Sequence, residues 1–326
     1  MVARLGIKPY PLALTYELSW LCNLSCGYCD RHTPMAQELQ RDAIFKALEE
    51  FVGLGMRLTN LDGGEALLHR NVDEIVEWLT RRGITVSMHS NGIMIPNKIE
   101  TVRKLSNVKI SLDGPRENHD AMRGAGSFDK AITGAKAAQA AGVEVAFTCT
   151  VGKHNWSTID SLIATAEELD IPVIFQPAMN SLFLETNRDG SRWQLDAQTI
   201  RGAFARIEQI KRRSKAVGNA WSSLRHFRTF PEDTKPPCAA GWVMATMDPE
   251  GVLFPCGQVN RSDRSNNVAR LGAKAAFMNL NREGCSQCWC ARLVEGNYKW
   301  GMRVDRMLPP MRSPDPEEPV LNEFPV

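Results

Sequence analysis

The chain has 326 residues, of which 43% are hydrophobic and 23% charged; this is an ordinary globular composition with enough apolar material for one large core or two smaller ones. A formal net charge of +2 gives no electrostatic reason for a polyanionic partner, and the basic run Lys211, Arg212, Arg213 and Lys215 reads as a solvated helix end, so nucleic acid is not favoured. No window approaches the roughly 18 apolar residues of a membrane span, and the N-terminal stretch lacks the apolar segment and cleavage site of a secretory signal, so a cytoplasmic protein without a membrane partner is expected.

For about the first 180 residues, short apolar runs alternate with longer helical patterns, the signature of parallel βα units. Strands are predicted at 12–18, 57–62, 84–89, 107–112, 143–150 and 171–176, with helices near 41–53, 71–82, 97–105, 127–141 and 157–169. The second helix has Asn71 as a cap, Glu74 three residues on, and Arg81, Arg82 and Gly83 at its end; the fourth opens at Ser127 and stops at Gly142. Six units predict an α/β fold, a partial (β/α)6 TIM-like barrel, whose chemistry belongs at the C-terminal ends of the strands.

Each of the first four strands is followed by a motif. "CNLSCGYC" at 22–29 follows the first, "DGGEALLH" the second, "HSNG" the third and "SLDG" the fourth. The nine cysteines are uneven: Cys22, Cys26 and Cys29 together, Cys149 alone, and Cys238, Cys256, Cys285, Cys288 and Cys290 in the last third. In a reducing compartment this argues for metal binding, catalysis or burial rather than a disulfide framework. Structural zinc wants four ligands, whereas a four-iron cluster held by three thiolates keeps one iron open for a non-protein ligand. A zinc knuckle or three buried thiols are the plainer alternatives.

"CNLSCGYC" resembles the C-x3-C-x2-C signature of the radical S-adenosylmethionine (radical SAM) enzymes, including the aromatic Tyr28 before the last cysteine. The resemblance implies that Cys22, Cys26 and Cys29 hold a [4Fe-4S] cluster and that Gly63, Gly64 and Glu65 meet the amino group of S-adenosylmethionine. Ser90 and Asn91 match the third-strand position. Ser111 and Arg123 resemble the pair for the ribose and methionine carboxylate, and Gln176 falls near the adenosine. Ala66 stands where a proline is usual. The implied chemistry is one-electron cleavage of S-adenosylmethionine, fed by a flavodoxin- or ferredoxin-type donor, to a 5'-deoxyadenosyl radical that abstracts hydrogen from a C–H bond.

Beyond residue 190 the alternation decays. An amphipathic helix is predicted at 193–213 through Leu195, Ile200, Phe204, Ile207 and Ile210, then a connector at 214–237. "CAAGWVMATMDPEGVLFPC" reads as a β-hairpin turning at "DPEG", which brings Cys238 and Cys256 together; "CSQCWC" adds Cys285, Cys288 and Cys290. Two of these three with the hairpin pair make four thiolates, enough to close a second cluster or a zinc ribbon. With Gly251 as its glycine, the hairpin resembles the opening of SPASM and Twitch extensions of radical SAM enzymes, which implies an auxiliary [4Fe-4S] cluster on Cys238, Cys256, Cys285 and Cys288, with Cys290 as the alternative ligand. The expected organisation is a barrel at 1–190, helix and connector at 191–237, a Twitch-like domain at 238–300 and an extended proline-rich tail at 301–326.

The spacing of these cysteines is similar to that of an aminocyclitol dehydrogenase of the family, so dehydrogenation or epimerisation of a small carbohydrate- or aminocyclitol-like molecule is the favoured expectation. Radical maturation of a ribosomally made peptide is the runner-up, and the short stretch before the first strand argues weakly against it. A non-catalytic iron–sulfur or zinc protein is the rival of another class. Cys149 and Cys290 are candidate hydrogen donors, although Cys149 also suits a small buried hydrophobe. His32 and His69 are candidate bases, and Trp193, Trp221, Trp242, Trp289 and Trp300 either wall a pocket or pack a small module.

Overall fold

The computed structural model describes residues 8–29, 37–179, 192–232, 238–259, 261–282 and 288–300. The proline-rich tail, His32 and Cys285 lie outside them. The strands β1 (Ala13–Ser19), β2 (Leu58–Gly63), β3 (Thr85–Ser90), β4 (Asn107–Ser111), β5 (Glu144–Val151) and β6 (Val173–Pro177) all pair in parallel. The helices between them are α1 (Arg41–Gly53), α2 (Val72–Arg81), α3 (Ile99–Val102), α4 (Arg116–Arg123), α5 (Ser127–Ala140) and α6 (Ile159–Leu169). The sheet is open, in the order β6-β5-β4-β3-β2-β1 followed by β7 (Met244–Met247) and β8 (Leu253–Phe254), so the partial barrel predicted from the alternation is the architecture found.

Strand alternation decides what faces the interior. On β4, β5 and β6 every second residue is fully buried, Ile110, Phe147 and Phe175 among them, while those between are half-buried. The half-buried set includes Lys109, Ser111, Thr148, Thr150 and Gln176, the inward face of the barrel. β1 is buried along nearly its whole length because β2 flanks it on one side and β7 (Met244–Met247) on the other.

β7 is the first strand of the predicted hairpin, with β8 (Leu253–Phe254) antiparallel to it. The hairpin therefore continues the barrel sheet instead of standing beside it, and Met247 and Leu253 belong to the main core. Its turn is held by Asp248, whose Oδ1 accepts from the amides of Glu250 at 3.1 Å and Val252 at 2.9 Å. A buried ion pair, Arg261 to Glu17 at 2.7 and 2.8 Å, ties the segment after β8 to β1.

Three local expectations are corrected and one unpredicted helix is added. Asn71 precedes α2 but its side chain makes no capping hydrogen bond; His69 Nδ1 accepts from the Asn71 amide, and Glu74 faces Arg41 on the surface. The stretch 97–105 is a short 3-10 turn, Pro96–Lys98, followed by α3. α4 has no apolar stripe to read, burying only His119 and Met122. The connector contains α8 (Trp221–Phe227), anchored by Leu224 and Phe227 against the partner helix α7 (Ala197–Lys211), with the Phe204 and Phe227 ring centroids 4.8 Å apart.

After β8 come α9 (Val268–Leu271), α10 (Ala273–Met278) and α11 (Ala291–Trp300). α11 packs on α8 and β6, and its first turn walls the barrel interior. Among the described residues no helix is long and apolar enough to cross a membrane.

Candidate functional site

Because the strands run in parallel, their C-terminal ends lie in one row, with Ser19 opposite Gly63, Ser90 opposite Ile110, Ser111 opposite Thr148 and Thr150 opposite Gln176. A cavity of about 300 Å³ opens there. Cys22, Cys26, Tyr28, Cys29, Gly63, Gly64, Ser90, Asn91, Ser111, Arg123 and Gln176 all line it, so the structure brings together every sequence-predicted residue of the first cluster and cofactor set except Glu65.

The glycine pair works first on the protein itself. Gly63 has φ +129°, and a Cβ there would sit 2.2 Å from the carbonyl oxygen of Ser19; one on Gly64 would sit 2.4 Å from that of Leu21 and 2.6 Å from that of Trp20. The Gly64 amide donates to Ser19 O at 2.7 Å and the Glu65 amide to Leu21 O at 2.9 Å. The second strand end is thus clamped onto the backbone that enters the cysteine loop, a contact only glycine allows.

Glu65 stands behind this clamp. It is fully buried, with Oε1 accepting from Ser90 Oγ (2.9 Å) and the Leu67 amide (3.2 Å), and Oε2 from the Asn91 amide (2.7 Å). Burial outweighs these donors and pushes its carboxyl from 4.5 up to about 7. An unfolded glutamate ionises near 4.5 and this one near 7, so its contribution to stability falls as pH rises between those values. Denaturant midpoints should therefore drop across that window, and Glu65→Gln should flatten the drop. Asn91, held by Glu65 through its backbone, turns its amide to Asn23 Oδ1 at 2.7 Å and to Cys22 Sγ at 3.9 Å.

Arg123 closes the other side. Its Nε donates to Asp113 Oδ2 at 2.7 Å, another nitrogen donates to Tyr28 Oη, and Nη1 lies 3.8 Å from Cys26 Sγ. Asp113 is fully buried and also accepts from Tyr28 Oη at 2.7 Å and the Thr150 amide at 3.1 Å. Burial alone would raise the Asp113 carboxyl, but the charge and hydrogen bond of Arg123 hold it below the usual value. Sequence reasoning missed Asp113, although it stands in the "SLDG" that it quoted; what was hidden was α4, which returns Arg123 to that strand end.

The three thiols fit a metal cluster. Burial raises Cys22, and it pushes Cys26 up to about 11, where Arg123 opposes it and Cys29, Asp113 and Cys22 add to it. Desolvated thiols that disfavour one another's ionised form need a cationic centre to become thiolates. Among the described residues no three His, Cys, Asp or Glu side chains are placed to hold a single metal ion; three thiolates are what a four-iron cluster with one open iron would take from the protein.

Cys238, Cys256, Cys288 and Cys290 gather around Ala240 and Leu293, which places both Cys288 and Cys290 with the hairpin pair. Cys290 also lines the main cavity, so thiols of the two groups face one space. Cys149 does not: it lies on the outward face of β5 between Thr148 and Thr150, in the core, with Asn155 Nδ2 3.5 Å from its sulfur. This corrects its placement as a hydrogen donor at the cavity, and the strand period explains it. His69 braces the start of α2 rather than facing the cavity. Trp193 donates from Nε1 to Gly27 O at 2.9 Å within the cysteine loop, whereas Trp289 is packed in the core. Glu17, Asp62, His89, Lys109, Arg292 and Glu295 line the cavity unanticipated. Lys109 stands two residues before Ser111 and His89 two before Asn91, so the period-two rule was the signal that could have found those two.

An open parallel barrel with three thiols and a glycine clamp at its mouth defines an iron–sulfur enzyme of the kind that binds S-adenosylmethionine. The sequence profile of the radical SAM superfamily matches residues 16–166. The chain is 30% identical over 257 residues to the mycofactocin maturase MftC of Mycobacterium ulcerans, covering 76% of this chain and 68% of that one. It is 25% identical over 273 residues to the AdoMet-dependent heme synthase of Methanosarcina barkeri, covering 76% and 77%. Among solved structures, anSMEcpe with bound AdoMet and the Cp18Cys peptide has the same fold, with a TM-score of 0.64 at 18% identity over 88% of each chain. The protein belongs to the radical SAM superfamily. Its members bind S-adenosylmethionine and a [4Fe-4S] cluster, and homologues of the SPASM type carry additional clusters.

Proposed function

We propose that the protein is a maturase: a radical SAM enzyme that abstracts hydrogen from a C–H bond of a ribosomally made peptide. This reverses the order expected from cysteine spacing, which put a carbohydrate-like molecule first. The observation that carries the reading is the shared cavity, lined by Cys22, Cys26 and Cys29 and also by Cys290. The choice of a peptide is supported by the likeness to two maturation proteins, MftC and, at 28% identity over 87% of the chain, the sporulation killing factor maturation protein SkfB of Bacillus subtilis.

In this reading Cys22, Cys26 and Cys29 hold the first cluster, and Cys238, Cys256 and two of Cys285, Cys288 and Cys290 the auxiliary one. S-adenosylmethionine, when bound, supplies the 5'-deoxyadenosyl radical for hydrogen abstraction. Gly63, Gly64, Ser90, Asn91, Ser111, Arg123 and Gln176 orient that cofactor, and Arg123 keeps a cationic face toward it while Asp113 fixes its direction. The strand-end row and α11 keep water from the reacting carbon. Cys290, if not a ligand, is the hydrogen donor, and a flavodoxin- or ferredoxin-type protein supplies electrons.

The test is anaerobic reconstitution followed by reduction with S-adenosylmethionine present. About eight irons per chain and release of 5'-deoxyadenosine are expected. Peptides and aminocyclitols offered side by side should give a peptide product that has lost two hydrogens or gained solvent deuterium. Turnover of the aminocyclitols alone would overturn the peptide, and bound zinc without cleavage would overturn the enzyme.

A further inference from the structure

The interior of the barrel below the cofactor-facing residues holds two cations that form no ion pair among the described residues. Lys109, one inward position below Ser111 on β4, and Arg292, in the first turn of α11, both line the upper cavity. They also line a second cavity of about 360 Å³ toward the opposite ends of the strands, so they stand at the neck between the two. Burial, and next to it the Arg292 charge, lower the pKa of Lys109 against the opposing charges of Glu295, Cys290 and Asp62, which places the two cations near each other.

The carboxylates around them are engaged elsewhere. Glu17 takes both nitrogens of Arg261 at 2.7 and 2.8 Å. Asp62 accepts from the Gly63 amide at 3.0 Å and faces His89 at 3.3 Å. Glu295 accepts from the Ala220 amide at 2.9 Å and Ser223 Oγ at 2.8 Å. Among the described residues neither Lys109 nor Arg292 has an acidic partner within 4.0 Å; the hydrogen bond of Arg292 goes to Thr15 Oγ1. Asn60, 8% exposed and lining the lower cavity, adds a buried Nδ2 with no acceptor. Two half-buried cations with no carboxylate in ion-pair reach, and a buried amide donor with no acceptor, form an arrangement that an anion would complete.

We propose that Lys109, Arg292 and Asn60 form an anion subsite that takes a carboxylate of the substrate and so sets how deep it reaches below the cofactor. This rests on the peptide reading above for the source of the carboxylate, a C-terminus or an acidic side chain. The Arg292 guanidinium provides the fork, Lys109 the second charge and Asn60 a neutral donor, a set that a carboxylate satisfies and an amide does not. The subsite selects its substrate by charge, since an uncharged group there would leave both cations without an ion pair.

The test uses the reconstituted protein with three probes: acetyl-trialanine as the free acid, the same peptide as its amide, and succinate. Binding is read by calorimetry and by thermal midpoint. The free acid should bind and raise the midpoint, and the amide should do neither. Lys109→Met and Arg292→Gln should each weaken acid binding by about tenfold or more while retaining wild-type iron content. Without ligand, Lys109→Met should melt about 2 °C higher, because a half-buried charge without an ion pair is removed beside a like charge. Equal binding of acid and amide, binding unchanged in both variants, or no binding of any probe overturns the subsite. Binding of succinate but not the peptide acid leaves the subsite standing and overturns the peptide as its occupant.

Discussion

Replacing Gly63 by alanine is expected to empty the three-cysteine site of iron while the C-terminal cysteines stay loaded. The added Cβ would lie 2.2 Å from the Ser19 carbonyl oxygen, a backbone atom with no rotamer to give way, at a φ of +129° that alanine rarely adopts. Relief requires the end of β2 to retreat from β1, which breaks the amide contacts from Gly64 to Ser19 and from Glu65 to Leu21. Those contacts hold the backbone that leads into Cys22. A destabilisation of about 3 kcal/mol or more is expected, with iron per chain falling from about eight to about four. Gly64→Ala should act in the same direction through the Leu21 and Trp20 carbonyls. Full iron content with an unchanged melting temperature in both variants would show that the clamp does not place the cysteine loop.

Asp113→Asn is expected to damage both stability and the site. The carboxylate is fully buried, and the guanidinium it holds is 10% exposed beside Cys26. Neutralising it keeps the shape but leaves a desolvated arginine without its counter-charge, at a cost of about 3–5 kcal/mol. Arg123 would also lose the partner that fixes its direction, so affinity for S-adenosylmethionine should fall with stability. The pH dependence gives an independent reading. The folded carboxyl titrates below its ordinary value, so its contribution is complete above an unfolded aspartate pKa of about 3.9 and is lost as pH falls through the folded value. Urea midpoints measured from pH 7 down to pH 3 should show the gap between wild type and variant narrowing in acid. A constant gap over that range would mean that the charge of Asp113 is not what stabilises the site.

Where the chemistry sits was legible because two periodicities were strong. The period-two apolar runs located all six parallel strands, and a parallel sheet can present loops for chemistry only at its strand ends. Cys22, Cys26 and Cys29, the glycine pair, Ser90, Asn91 and Ser111 were therefore placed at strand ends by local pattern, while their cofactor roles came from the family resemblance. Arg123 was named without its helix: α4 is polar throughout and buries two side chains, so no stripe announced it. Cys149 was ambiguous only until its parity was counted from Thr148 and Thr150.

Local sequence by itself determined the open parallel barrel, the strand-end loops and the grouping of cysteines, since each depends on residues a few positions apart. Tertiary structure alone decided three things. It laid the C-terminal hairpin along β1 as part of the same sheet, it brought Cys290 to the cavity of the first three cysteines, and it set Lys109 beside Arg292 from opposite ends of the chain. These pairings join segments more than a hundred residues apart in sequence. Their physical cause is the closure of one hydrophobic core, which no spacing within a strand or helix encodes.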